Sequence, residues 1–575
     1  MIKLFKLLMP YRWTIGLVLA LIFLQSLSEL YLPTLMADIV NLGIVTGDHS
    51  YIWRIGGFML LVSAASGLFS VIASFHASKI SSGFGRIVRG KVFSHVERFS
   101  LQEFDKIGTA SLITRTTNDI NQVQQVLLMM MRMMVAAPMM CIGGIIMAVY
   151  KDAKLSLVII CVIPILALTI FLIARKGIPL FKIIQTKIDK LNLVLRETLT
   201  GVRVIRAFNR TDHEKKRFDE ANLDLTDVAI RVNKIMAAMM PMMMLIMSFT
   251  SIAIIWFGGI RISTGHMQVG DLMAFLQYGM QIMFSLIMVS MMFVMVPRAS
   301  ASSVRINQVL DTVPDIVDLP AARQAPSGQG HVVFDRVTFS YPGAEKPALS
   351  NISFEAVPGQ TTAIIGGTGS GKTTLISLIP RFYDIESGSV RVDGVDVREM
   401  TQESLRSKIG FVPQQSVLFT GTIRDNIRFG KEEATDEEIG KAAETAFAAP
   451  FIAEKEDGYD SAISQGGGNL SGGQKQRLSI ARALVRKPEI YVFDDSFSAL
   501  DFKTDANLRA ALKRETSNAT VIIVAQRVST VMDADRIIVL DEGEITGIGT
   551  HRELMETSTV YREIVSSQLA EEESA

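Results

Sequence analysis

Gly366-Gly-Thr-Gly-Ser-Gly-Lys372-Thr373-Thr374 decides the fold of the second half of this chain. The apolar run Thr362-Ala-Ile-Ile365 precedes it and Leu375-Ile-Ser-Leu-Ile379 follows, so the order reads strand, glycine loop, helix. The stretch fits G-x-x-x-x-G-K-[ST], with Gly366, Gly371, Lys372 and Thr373 at the fixed positions. Gly366, Gly367, Thr368, Gly369, Ser370 and Gly371 make a tight loop whose backbone N–H groups turn inward, the arrangement that cradles phosphate oxygens. Lys372, Thr373 and Thr374 open the helix, whose N-terminus adds partial positive charge. Lysine at this position reaches the β- and γ-phosphates and the Thr373 hydroxyl can ligate magnesium, so ATP and Mg2+ are the expected cofactors.

The rest of the composition says what this site is attached to. The chain is 575 residues long, enough for more than two average domains or one large domain and a second. A net charge of +1 implies no polyelectrolyte partner, so nucleic acid is not expected. The hydrophobic fraction, 49%, is high for a soluble protein and is unevenly spread. Residues 1–300 hold long apolar runs, whereas 321–575 have ordinary soluble composition; of the 30 methionines only Met400, Met532 and Met555 lie beyond residue 321. Cys141 and Cys161 both sit inside apolar runs, so neither a disulfide framework nor a zinc site is expected.

Residues 2–12, IKLFKLLMPYR, are short, basic and amphipathic, and no small-residue cleavage site follows; they read as an interfacial helix. Segments near 13–36, 54–77, 133–150, 155–175, 238–260 and 270–296 each supply the roughly 20 residues that a bilayer crossing needs. Glu29 in the first and Arg132 at the start of the third either face a protein interior or a water-filled cavity, or snorkel from a helix end. The links after the second and fourth segments are long and rich in Lys and Arg, and basic residues also precede the first segment, which places both termini and both long links in the cytoplasm. Val92, Val96 and Phe99, and Ile184, Ile188, Leu191 and Leu195, keep helical spacing through these links. The membrane helices are therefore expected to run far below the bilayer and turn back near Phe104–Thr109 and Phe208–Asp212, whose polar residues either cap helix ends or contact whatever lies beneath. Methionines cluster at 129–140 and 236–247 and recur along 280–295. Flexible thioethers suit a polyspecific cavity, but methionines on every side of a helix cannot all face one, so packing or lipid contact explains most of them.

Residues 311–330, DTVPDIVDLPAARQAPSGQG, lose the apolar periodicity and read as a linker. From 331 short β-type runs appear (Val332–Phe334, Val337–Ser340), then the glycine loop, then alternating helices and strands, the pattern of an α/β domain. The expected fold is thus multi-domain: an all-α six-helix transmembrane domain over 1–310, a linker over 311–330, and an α/β P-loop nucleotide-binding domain over 331–575. A second apolar run, Ile490-Tyr-Val-Phe493, ends in Asp494-Asp495; a strand ending so beside a phosphate loop puts Asp494 in place to hold magnesium. Between the two lies Leu470-Ser471-Gly472-Gly473-Gln474, followed by the amphipathic basic run KQRLSIARAL.

In this order, over essentially the whole length, the chain resembles an ATP-binding cassette (ABC) exporter half-transporter. The resemblance implies that Tyr341 stacks on adenine and that Gln414 touches magnesium and senses the membrane domain. It implies that Ser471, Gly472, Gly473 and Gln474 close on a partner chain's nucleotide, and that Ser498-Ala-Leu-Asp501 joins the two sites, because nucleotide domains of this family pair head to tail. It makes Phe208–Asp212 and Ile107–Thr109 contact points for nucleotide domains, the first for the partner's.

Two positions depart from the family pattern. Glutamate usually follows the strand aspartate and polarises the attacking water; here it is Asp495, whose carboxylate is withdrawn by roughly 1–1.5 Å, about one C–C bond. A histidine usually follows the next strand; here Val521–Ala525 is followed by Gln526, which can donate a hydrogen bond but carries no charge. A weaker departure is Ser464-Gln465-Gly-Gly-Gly, where relatives usually carry an acidic residue. With every binding motif kept, the resemblance implies a site that binds ATP and turns it over poorly, in a chain whose consensus signature completes a competent site on a different partner. Similar bacterial exporters are heterodimers of this kind, acting in an inner membrane on hydrophobic or amphipathic compounds such as drugs or lipids. A homodimer with two slow sites and a non-pumping regulatory subunit are the alternatives.

Overall fold

A computed structural model describes residues 1–574, with the side chains at 174, 178, 181, 182, 291, 293, 294, 502 and 569–574 outside the description. The chain divides into two compact units, Met1–Glu97 with Gly108–Thr312, and Arg98–Ile107 with Val313–Ala575. The second unit thus takes in a short piece of the first long link as well as the residues beyond the last membrane helix.

The first unit is helical throughout. Its six long helices are Arg12–Asp38, His49–Val96, Ile120–Lys151, Ser156–Thr200, Thr211–Ser263 and Val269–Asp311. Among the described residues, six helices are long and apolar enough to cross a membrane. The fifth, at 53 residues, rises about 80 Å, against a hydrocarbon core of about 30 Å, so it continues well past the bilayer, as the helical spacing of the links predicts. The first, second, third and sixth helices pack on one another, and the fourth packs mainly along the fifth. Residues 2–11 form a short α-helix, Ile2–Phe5, and a 3-10 turn, Lys6–Tyr11, that leads into the first membrane helix; Leu4 is buried and Ile2 and Met9 are exposed.

The turn at 208–212 is not closed by a side-chain cap. Asn209 adopts φ +54° and the Arg210 N–H reaches the Ile205 carbonyl (2.9 Å) while the Asn209 N–H reaches that of Arg206 (3.2 Å). This is a Schellman ending, in which a left-handed residue satisfies the last carbonyls of the helix, so asparagine acts through its backbone here. At the other turn Gly108, φ +80°, precedes the helix Thr109–Thr114, again without a side-chain cap.

In the second unit, β1 (Val332–Phe339), β2 (Leu349–Ala356), β4 (Ser387–Val392) and β5 (Val395–Asp396) form an antiparallel sheet in the order β2-β1-β4-β5. The two runs expected at 332–340 are one strand. Its register slips around Arg336, which adopts φ +48° and hides the continuity in the sequence. The main sheet contains β3 (Thr361–Ile365), β6 (Ile409–Val412), β9 (Ile490–Asp494), β10 (Thr520–Val524), β11 (Arg536–Asp541) and β12 (Glu544–Gly549), with β7 (Gly421–Thr422) and β8 (Ala462–Ile463) pairing separately. Its order is β12-β11-β3-β10-β9-β6, parallel except at β12. β9 and β10 are buried on both faces, as the uninterrupted apolar runs require. The order brings the carboxyl ends of β3, β10, β9 and β6 side by side, where loops of parallel sheets place their ligands.

The helix Leu101–Ile107 belongs to this unit through Glu103. Its carboxylate is 4% exposed and accepts the N–H of Ser100 (2.6 Å) and the N–H of Asp315 (3.2 Å), tying the link helix to the start of the linker. Burial opposes its charge, but those hydrogen bonds outweigh burial and hold its pKa below the usual glutamate value.

Candidate nucleotide site

The phosphate loop leaves β3 at Ile365 and ends at the helix Lys372–Ser377. A Cβ at Gly366 would stand 2.0 Å from the Leu540 carbonyl, and Gly371 adopts φ +98°, so glycine is required at both ends of the loop. Ser370 Oγ is buried without a protein partner, and the Lys372 ammonium donates to the Gly366 and Gly367 carbonyls (2.8 and 2.6 Å). An orphaned hydroxyl, a lysine and a helix N-terminus around one glycine loop fit an anionic phosphate chain. Burial holds the Lys372 pKa below the usual lysine value, with Asp495 and Asp494 opposing the shift.

Parallel pairing sets the opposite wall. Asp494 ends β9, is 3% exposed, and accepts the Thr373 hydroxyl at 3.2 Å. Burial pushes its carboxyl above the ordinary aspartate range, with the Asp495 charge adding to the shift and the Thr373 bond opposing it. A buried carboxylate beside a threonine hydroxyl is a donor pair suited to magnesium.

Asp495 follows directly, in a left-handed conformation of φ +46° that aspartate tolerates better than most residues. Its Oδ2 accepts the Gln526 amide at 3.0 Å and that of Gln414 at 3.5 Å. The strand order explains the meeting: Gln526 follows β10 and Gln414 follows β6, the two neighbours of β9. Burial raises the Asp495 pKa too, opposed by its Gln414 and Ser498 hydrogen bonds. Tyr341 Oη lies 2.9 Å from Thr374 Oγ1 and its ring meets Tyr383 edge-on at 5.5 Å. Tyr341, Gly366–Thr374, Gln414, Asp494, Asp495 and Gln526 therefore form one cluster.

Ser471–Gln474 make a second group, at the start of the helix Gly472–Leu484. Ser471 is the N-cap and receives the Gln474 N–H (3.3 Å), while Gln474 Oε1 receives the Ser471 N–H (3.0 Å). This capping box fixes the backbone of both glycines and leaves Ser471 and Gly472 exposed. A Cβ at Gly473 would come within 3.1 Å of the Ala499 carbonyl, so the 498–501 loop lies against the signature. Gln476, which sequence reasoning passed over, accepts the Ala499 N–H (3.3 Å) and holds that loop. Its signal was only its place one turn into the capped helix. Arg527, also passed over, stands next to Gln526 and draws the Asp495 charge from outside the motifs.

Residues 15–286 match the family described as ABC transporter transmembrane region, and 349–498 match that described as ABC transporter. An uncharacterized ABC transporter ATP-binding protein of Mycobacterium tuberculosis is 44% identical over 564 residues, covering 97% of this chain and 96% of the relative. An ATP-dependent lipid A-core flippase of Desulfotalea psychrophila is 35% identical over 490 residues, 85% of each chain. The solved structure of a bacterial Atm1-family ABC exporter with ATP bound superposes with a TM-score of 0.81 at 26% identity, over 97% of this chain and 98% of the other. With one transmembrane region and one nucleotide-binding domain in a single chain, the protein belongs to the ABC transporter family as an exporter half-transporter.

Proposed function

We propose that this chain is the weakly hydrolysing half of an ATP-driven exporter in a bacterial-type inner membrane, with both termini and the nucleotide domain in the cytoplasm. Its cargo is hydrophobic or amphipathic. In this reading the 366–371 loop and Lys372 hold the phosphates, and Tyr341 covers adenine. Thr373, Gln414 and Asp494 hold magnesium, and Ser471–Gln474 complete the nucleotide site of a second, different half-transporter. ATP binding closes the paired nucleotide domains and turns the cavity outward; hydrolysis, chiefly at the partner's site, resets it.

The observation that carries this is the grip on Asp495. Its carboxylate is one methylene short of a glutamate, and Gln526 at 3.0 Å engages the oxygen that a general base would turn to water. A misplacement of about 1 Å costs on the order of 100-fold in rate. The test is steady-state ATPase of this chain alone, of its partner alone and of the pair. The expected outcome is strong turnover from the pair only; cooperative, fast turnover by this chain alone sinks the reading.

A further inference from the structure

Two facing stripes inside the membrane unit are not used by nucleotide chemistry. On the first helix Gln25, Glu29 and Met36 fall on one side at 100° per residue, and on the sixth Gln277, Met280, Gln281, Phe284 and Met288 do the same. The stripes touch. The Gln281 amide donates to the Glu29 carbonyl at 3.2 Å, and the Gln277 amide meets Met36 Sδ at 3.6 Å. Glu29 itself has glutamine for company: its Oε1 accepts the Gln25 amide at 2.9 Å. Four basic residues of this unit have partners other than Glu29: Lys151 pairs with Asp271, Arg261 with Asp152, Arg305 with Asp119, and Arg132 donates to Ser74. Glu29 lies nine residues, about 13 Å of helix rise, before Asp38, where the α-helix passes into the π-helical turn Ile39–Ile44, so water at the end of the span does not reach it without a cavity.

Two acceptors are therefore left at mid-membrane depth beside an open apolar strip. Gln281 Oε1 is buried with no hydrogen-bond partner, and Glu29 brings an acidic oxygen with no cation in its ion-pair set among the described residues. Met280, Phe284 and Met288 are 40%, 56% and 48% exposed on the same face as Gln281. A carboxylate and an unsatisfied carbonyl select a positive charge or an N–H donor; thioethers and an aromatic ring suit a variable apolar body.

We propose that Glu29 and Gln281 form the charge-selecting end of the transport site, which takes amphiphiles bearing a single positive charge. The exposed Met280–Phe284–Met288 strip accepts their apolar part. This rests on the exporter reading above and narrows its cargo from amphipathic to cationic.

The test uses two probes of one shape and opposite sign, tetraphenylphosphonium and tetraphenylborate. Binding is measured by equilibrium dialysis on the full-length transporter complex in nanodiscs without hydrolysis, so failure of the weak-site reading leaves the result unaffected. The wild-type protein is expected to bind the phosphonium at least tenfold more tightly than the borate. Glu29→Gln is expected to erase that preference by weakening the phosphonium alone, Glu29→Asp to keep part of it, and Gln281→Leu to weaken phosphonium binding several-fold. Nucleotide binding, read in parallel, stays unchanged in all three variants and reports that they are folded. Equal affinity for both ions in the wild-type protein, or unchanged phosphonium binding in both Glu29→Gln and Gln281→Leu, overturns the proposal.

Discussion

At Asp495 the side chain is one methylene shorter than the glutamate that usually follows the strand aspartate in this family. The backbone already turns the residue toward Gln414 and Gln526, and the side chain stops at their amides (3.5 and 3.0 Å). Lengthening it moves the carboxylate by about one C–C bond. Asp495→Glu combined with Gln526→His is therefore expected to raise turnover at this chain's own site on the order of 10–100-fold, whereas Asp495→Asn leaves most of the pair's ATPase and transport. Loss of the pair's turnover in Asp495→Asn contradicts the assignment. Asp494 carries a different prediction. Burial raises its pKa, so it is neutralised at a higher pH than free aspartate, whose value is about 3.9. Magnesium needs the anion. Stabilisation by Mg2+ with ATP is thus complete well above the raised pKa and is lost as pH falls through it. The same carboxyl's own effect on the nucleotide-free fold has the opposite sign: it is fully present below about pH 3.9 and lost as pH rises through the raised value. Thermal shift with and without Mg2+ across a pH series reads both trends, and Asp494→Asn is expected to flatten them.

Elements translate such residues into geometry, and here the sequence was legible to unequal degrees. The strand–loop–helix at 361–377 and the strand ending at Asp494 follow from apolar runs flanking a fixed motif. The signature could be read as a motif, but its capping box also gives it a local physical reason, since Ser471 and Gln474 satisfy each other's backbone donors. Replacing Gly473 by valine drives a side chain against the Ala499 carbonyl. It is expected to lower the pair's ATPase by roughly 100-fold while nucleotide binding at this chain's loop is retained, a split that photo-crosslinked ATP resolves. Glu103 was illegible: an acidic residue in a polar link carries no signal, and only the fold brings the Asp315 N–H to it. Removing this buried acceptor leaves two backbone donors unsatisfied, a cost of about 1–3 kcal/mol. Glu103→Ala is expected to lower the thermal midpoint and to open the 313–330 stretch to limited proteolysis at a protease dose that spares the wild-type chain.

The whole molecule was legible as an outline, six apolar segments and a P-loop domain, because bilayer length and the phosphate motif are strong constraints. Packing among the helices was not legible, because all six segments are apolar on most sides and periodicity cannot tell a lipid-facing side from a protein-facing one. The structure separates them into a bundle of the first, second, third and sixth helices and a pair formed by the fourth and fifth. That pair exposes Ile165, Leu168 and Phe171 on one helix and Phe249, Ile252 and Trp256 on the other. Lipid can cover such a surface within the bilayer, but the polar continuations of these helices below it, with Lys187 bound to Asp224 and Arg217 to Glu197, hold the pair together over a length that lipid does not reach. A half-transporter of this form pairs with a second half, and in the reading proposed above, which rests on Asp495 and Gln526, the second half is a different chain. Native mass of the complex extracted from its own membrane is expected to show one copy of this 63.3 kDa chain with one copy of another chain that has glutamate and histidine at the two positions. Expressed alone, the chain is expected to give a species of twice that mass with ATPase at least tenfold slower than the mixed pair, since both of its sites would then pair a sound signature with a short carboxylate. A mixed pair no faster than that species would make Asp495 and Gln526 sufficient for hydrolysis, and the signature's service to a different chain would lose its reason.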